Sequence, residues 1–179
     1  SNHIARINSD GSYDSDFYIG NGFDYEAYTV ALQSTGKVIV GGSFYNYKDN
    51  YLYGGQIVRL DTNGGLDTMF GYGLNGNVDS IAIQSDDKIV VGGKFQDFYP
   101  NDYDTISVHC LIRFYEDCTF DYSFYHDVLL SNHYEVYTIL IDTDNKLYVG
   151  GSFNNEGDPS KYPLNYFGRL NNFILKYPY

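Results

Sequence analysis

All four arginines of the chain, Arg6, Arg59, Arg113 and Arg169, occupy the third position of one recurring segment. In the first three copies an aspartate follows eight residues later: Asp14, Asp67 and Asp121. A guanidinium and a carboxylate at a fixed interval can join in a planar, two-bond pair. Ranged along a channel, such pairs could bind a ligand. Repeated once per unit, they are what a scaffold uses to tie each hairpin together. All three complete copies keep the pair, whereas an active site needs one asymmetric cluster, so the structural role is the expectation.

The acidic turns raise a second chemistry. "NSDGSYD" at 8–14 and "DTNGGLD" at 61–67 place oxygen donors at relative positions 1, 3 and 7, and "DTDN" at 142–145 adds another acidic turn. Asp10, Asp14, Asp142 and Asp144 are therefore candidate calcium ligands. A calcium loop of the helix–loop–helix kind needs more donors and a distal Glu, and none follows at that spacing. Turn chemistry accounts for the same residues. His3, His109, His126 and His133 are scattered, without a metal-binding or catalytic interval. Glu26, Glu116, Glu135 and Glu156 could pair with an aspartate to cleave a glycoside only if the fold sets the carboxyls at the required separation. The expectation is no catalytic residue and no cofactor.

Aromatic side chains supply a third. The chain holds 21 Tyr and 12 Phe but no Trp, and several fall in segments rich in Asn, Asp and Gly. Tyr45, Tyr47, Tyr51, Tyr53, Phe98, Tyr99 and Tyr103 are expected contact residues, for protein ahead of sugar.

Positioning all of these are two alternating blocks. The first kind is "IARINSDGSYDSDF" at 4–17, "IVRLDTNGGLDTMF" at 57–70 and "LIRFYEDCTFDYSF" at 111–124, with a partial copy opening as "FGRLNNF" at 167. The second kind is "TVALQSTGKVIVGGSF" at 29–44, "SIAIQSDDKIVVGGKF" at 80–95 and "TILIDTDNKLYVGGSF" at 138–153. We call these A and B blocks. Alternating apolar residues on either side of a tight turn predict a hairpin in each B block, and A blocks read as a short strand, a turn and a return. Cys118 stands where the other A turns have glycine, which predicts an altered turn there. The A blocks begin 53, 54 and 56 residues apart, about the chain needed for one four-stranded propeller blade. Segments 45–56, 96–110 and 154–166 read as variable loops.

Each B block carries a glycine pair: Gly41-Gly42, Gly92-Gly93 and Gly150-Gly151. A phosphate loop would need a helix to begin after the glycines. Here a phenylalanine and a polar loop follow, so the pairs are expected where strands or blades approach closely.

The net charge of -12 disfavours a nucleic-acid partner, and no run is long and apolar enough to enter a membrane. Cys110 and Cys118 are expected as two isolated thiols, a single disulfide being the alternative. Few arginines and Asn/Tyr-rich segments suggest an AT-rich genome, which fits phages, large DNA viruses and bacteria of similar composition.

The recurring "ARINSDGSYD", "VRLDTNGGLD" and "VGG-x-F" strings resemble the delta-60 repeat, the DUF5122 β-propeller family. The third A copy departs from that pattern at "FYEDCTFD", and the last lacks the Asp-Gly turn and the following Asp. The resemblance implies a propeller scaffold, an extracellular, cell-surface or virion setting, and no transferable catalytic residue. The whole reading is one all-β domain, 1–179, of propeller-type repeats at approximately 4–56, 57–110 and 111–166, with a partial repeat at 167–179. About three four-stranded blades cannot close a ring alone, so oligomerisation or a longer parent chain is expected to complete it. Expected partners are a second copy or other structural proteins, with a glycan as the alternative.

Overall fold

Short apolar runs broken every few residues by Gly, Asn and Asp favour strands over helices, and the described residues fold accordingly. A computed structural model describes residues 3–52, 55–70, 73–124, 135–152 and 167–170. Its strands are β1 (Ala27–Leu32), β2 (Val38–Gly42), β3 (Asn46–Tyr47), β4 (Asn50–Tyr51), β5 (Ile57–Leu60), β6 (Leu66–Met69) and β7 (Asn77–Ile83). There follow β8 (Ile89–Lys94), β9 (Asp97–Phe98), β10 (Ile106–Ser107), β11 (Leu111–Phe114), β12 (Val136–Ile141), β13 (Leu147–Gly151) and β14 (Phe167–Leu170). One 3-10 turn, Tyr122–Phe124, lies after β11.

These strands build three antiparallel sheets in succession. Sheet I has the order β1-β2-β5-β6, sheet II β7-β8-β11 and sheet III β12-β13-β14. In sheet II a single bridge, Phe114 to Phe120, takes the place of the fourth strand. Each B hairpin closes on a left-handed residue, Gly36 (φ 81°), Asp87 (φ 60°) or Asn145 (φ 59°), which Gly, Asp and Asn tolerate best. Each first strand also carries the same bulge, at Ala27/Thr29, Val78/Ser80 and Val136/Thr138.

The sheets are out of phase with the sequence repeat. Each joins a B block to the A block of the next repeat, so units drawn at 4–56, 57–110 and 111–166 cut through sheets. The terminal A block pairs with β13 of its own chain, Leu147 to Leu170 and Gly150 to Phe167. The half-blade lies at the other end. Residues 4–17 form a small hairpin bridged at Ile7 and Tyr13, and no B hairpin adjoins it among the described residues.

The core lies between successive sheets. One cluster, including Phe17, Phe23, Phe44 and Val58, fills the space from the N-terminal hairpin to sheet I. A second, including Ile39, Val78, Ile81 and Phe114, joins sheets I and II. A third, including Val90, Val136 and Ile139, joins sheets II and III. Face-to-face stacking of small sheets is propeller architecture, left open at both ends.

Segments 45–56 and 96–110 are less variable than their composition suggests. Both return as two-residue ribbons, β3–β4 and β9–β10, each bridged to the loop before the adjacent B strand, Phe23 to Tyr47 and Leu74 to Phe98. Segment 154–166 lies outside the described residues, as does Phe153.

Candidate functional site

The recurring arginines act within a sheet and between sheets. Inside each A hairpin the guanidinium binds the aspartate eight residues on: Arg6 Nε to Asp14 at 2.7 Å, Arg59 Nε to Asp67 at 2.6 Å and Arg113 Nε to Asp121 at 2.9 Å. The other arm reaches the neighbouring blade. Arg6 Nη1 donates to the Thr62 carbonyl at 2.5 Å, and Arg59 Nη1 to the equivalent Glu116 carbonyl at 2.6 Å. Arg113 Nη1 instead stays within its own sheet and donates to Gln84 Oε1 at 3.1 Å. The Arg169 side chain lies outside what is described.

Burial is greatest in the third pair, where Asp121 is fully buried; the Asp14 and Asp67 side chains each keep about a fifth of their exposure. Burial works to raise the carboxyl pKa of Asp67 and Asp121, but donors outweigh it and hold both below the usual value: Lys37 and Arg59 for Asp67, Ser123 and Arg113 for Asp121. Asp14 is lowered chiefly by its hydrogen bond from Arg6.

Hydroxyls and turns repeat the same sheet-to-sheet logic. Thr29 Oγ1 accepts the Ile81 N–H at 3.2 Å, and Ser80 Oγ accepts the Ile139 N–H at 3.0 Å. In the B turns, Ser34 bonds to Asp87, and the Ser85 N–H donates to Asn145 Oδ1 at 3.0 Å. Glu135 ties β12 to β8 through Lys94 Nζ at 2.5 Å. Asp79 lies in the same charged cluster, its pKa raised by burial and then by Glu135.

The two glycines of each pair do different work. A Cβ on Gly41 would collide with Val78 and Ile81 of the next sheet, and one on Gly92 with Val136 and Ile139. On Gly42, Gly93 or Gly151 it would strike a backbone carbonyl at the bulge of the paired strand, that of Glu26, Asn77 or Glu135. Gly150 has the position of Gly41 and Gly92 in sheet III and is half-buried where they are buried.

The aspartates considered for calcium are engaged in turns. Asp10 Oδ1 accepts from the Ser12 N–H and hydroxyl, at 2.9 and 2.7 Å. Asp142 Oδ1 accepts the amides of Asp144 and Lys146, and Asp144 pairs with Lys146 Nζ at 2.9 Å. Among the described residues no three His, Cys, Asp or Glu side chains are grouped to hold a metal ion. His126, His133 and Glu156 lie outside them. No described helix is long and apolar enough to cross a membrane.

Two of the expected contact aromatics are core residues. Tyr47 is 0% and Phe98 2% exposed, because each ribbon folds its aromatic inward beneath the bridged loop. Tyr47 packs against Phe23 with the rings tilted and centroids 4.6 Å apart, and donates its hydroxyl to the Gly64 carbonyl. Burial raises that hydroxyl's pKa well above its ordinary value. Tyr45 and Tyr51 are exposed, Tyr103 is 93% exposed and Tyr99 half-buried; Tyr53 lies outside the described residues.

The ribbons rest on two residues that the repeat comparison passed over. Asp24 Oδ1 accepts the amides of Tyr45 and Asn46, and Asn75 Oδ1 those of Gln96 and Asp97. The matching strings "GFD" at 22–24 and "GLN" at 73–75 carry that signal. Cys110 and Cys118 are buried and not joined to each other, and burial pushes their thiols up to about 11 and about 12. Such thiols stay protonated and unreactive. The third A turn is not altered by Cys118: it keeps the left-handed φ (71°) and the bond to the Tyr115 carbonyl. The preceding Asp117 braces it by accepting the Thr119 amide and hydroxyl.

A family model described as a domain of unknown function (DUF5122) beta-propeller matches residues 1–17, 33–70 and 84–124, more than half of the chain. No curated protein matches it.

Proposed function

The chain belongs to the DUF5122 β-propeller family, and from that premise we propose that it is a non-catalytic structural and interaction module. It joins copies of itself or other structural proteins into an extracellular, cell-surface or virion-type assembly, and this role needs no cofactor. One observation carries the reading. Val30 is 59% exposed, whereas Ile81 and Ile139, at the same position of the other two sheets, are 8% exposed because another sheet covers them. Leu32 beside Val30, and Leu140 at the far end, are equally open. Two uncovered apolar faces on one small domain mark association surfaces. Light scattering tests this: multiples of the 20.4 kDa chain mass are expected, and a cooperatively folding species at that mass alone overturns it.

A glycan-binding role is the second reading, favoured by the exposed Tyr25–Tyr45 edge-to-face pair, centroids 6.4 Å apart, and by the open ring of Tyr103. It requires saturable sugar binding that Tyr51→Ala and Tyr99→Ala abolish.

A further inference from the structure

Residues 1–179 hold four A strands and three B hairpins, so among them one A strand has no hairpin of its own. In the structure the complete one is left over. The hairpin of residues 4–17 has its turn and its Arg6–Asp14 pair, yet β13 is paired with the terminal copy, which lacks the Asp-Gly turn and the aspartate. The leftover hairpin is also already in place. Arg6 bonds the Thr62 carbonyl just as Arg59 bonds Glu116, and the Tyr18 N–H donates to Asn63 O. It is the outer half of a blade whose inner half is one B hairpin.

That slot has two walls. One is the exposed Val30 face of β1. The other is a strand edge with no partner among the described residues: the bonds Asp14 N–H to Arg6 O and Asn8 N–H to Ser12 O turn Arg6 and Asn8 toward the hairpin, so the amides of Ala5 and Ile7 point away from it. At the opposite end of the chain, Thr138 and Gly150 of sheet III repeat the Thr29–Gly41 and Ser80–Gly92 surfaces on which Ile81 and Ile139 dock. One rigid placement of a second copy therefore satisfies both walls.

We propose that two copies join head to tail by strand exchange: the N-terminal hairpin of one chain adds to β13 of the next and displaces that chain's own β14. The registers of β2 with β5 and of β13 with β14 set the pairing as Ile4 with Gly150, Ala5 with Val149 and Ile7 with Leu147. A head-to-tail interface closes a ring or runs on as a filament according to its rotation. This inference rests on the assembly reading and adds which strands make the join.

The test mixes two singly substituted chains, Ala5→Cys and Val149→Cys, under mild oxidation. A covalent species of twice the chain mass with a disulfide between positions 5 and 149 is expected, since a paired strand position sets Cα atoms within bonding reach. Ala5→Cys mixed with Leu140→Cys, exposed but not paired, should give none. Assembly seen by light scattering without the 5–149 bond overturns strand exchange while leaving self-association standing; a monomer overturns both. Because Val149 is buried, Ala5→Pro gives an independent reading. It removes the outward amide without touching the hairpin's own bonds and should reduce the assembly to monomers. Assembly unchanged in Ala5→Pro counts against the exchange.

Discussion

At the scale of single residues, the arginine–aspartate pair has its greatest effect where water is least able to replace it. The Asp14 and Asp67 side chains are each about a fifth exposed, whereas Asp121 is sealed from solvent with Arg113 beside it. Removing one partner of a buried pair strands the other charge, which costs about 3 kcal/mol or more, whereas an exposed pair contributes little. Asp121→Asn should therefore lower unfolding stability by about 3 kcal/mol, and Asp67→Asn and Asp14→Asn by less, measured in urea at neutral pH. The pH dependence has the same origin. A carboxyl held below its unfolded value of 3.8 stabilises the fold above that pH and loses the contribution as pH falls through the depressed folded value. Acid unfolding should set in below pH 3.8, and Asp121→Asn should flatten that limb. An equal loss for all three variants would refute the special weight of burial at Asp121.

At the scale of elements, the two adjacent glycines separate two kinds of close approach. A methyl on Gly92 meets Val136 and Ile139, side chains of the neighbouring sheet that can shift, so Gly92→Ala should cost about 1–3 kcal/mol as ordinary overpacking. On Gly93 it meets the Asn77 carbonyl, part of the bulge in its own sheet, and relief means breaking the strand pair. Gly93→Ala should lower the thermal midpoint further than Gly92→Ala, and the reverse order would contradict this division. What the sequence showed at this scale was local. Arg59 and Asp67 share one hairpin, so their spacing alone brought them together, and the turn residues named each hairpin. What it hid depended on distant contacts. A periodic sequence has no marked origin, so nothing in it tells that Val38–Gly41 pairs forward with Ile57–Leu60 and makes residues 4–17 the leftover strand. Tyr47 and Phe98 look like loop aromatics until Phe23 and Leu74, more than twenty residues earlier, bridge over them. The bracket from Asp24 and Asn75 had a two-copy trace, too short to separate from turn composition.

At the scale of the whole molecule, charge and shape pull in opposite directions. Each chain carries -12, so bringing copies together gathers like charge. The faces that would meet, around Val30 and Leu32 at one end and Leu140 at the other, are apolar, and the strand exchange adds backbone bonds that salt hardly screens. Association should therefore strengthen with added salt, because the screening length falls from about 10 Å at 0.1 M to about 3 Å at 1 M and removes mainly the repulsion. An interface built on ion pairs would weaken instead, and sedimentation across that range distinguishes the two. Val30→Asp makes the comparison sharper. At an exposed site it should change the stability of the single chain by no more than about 0.5 kcal/mol. In the join it sets a carboxylate against Thr138 and Gly150, where Ile81 and Ile139 fill the equivalent spaces inside the chain. The variant should stay monomeric at every salt concentration while keeping its thermal midpoint. If it assembles like the parent protein, the Val30 face is not where copies meet.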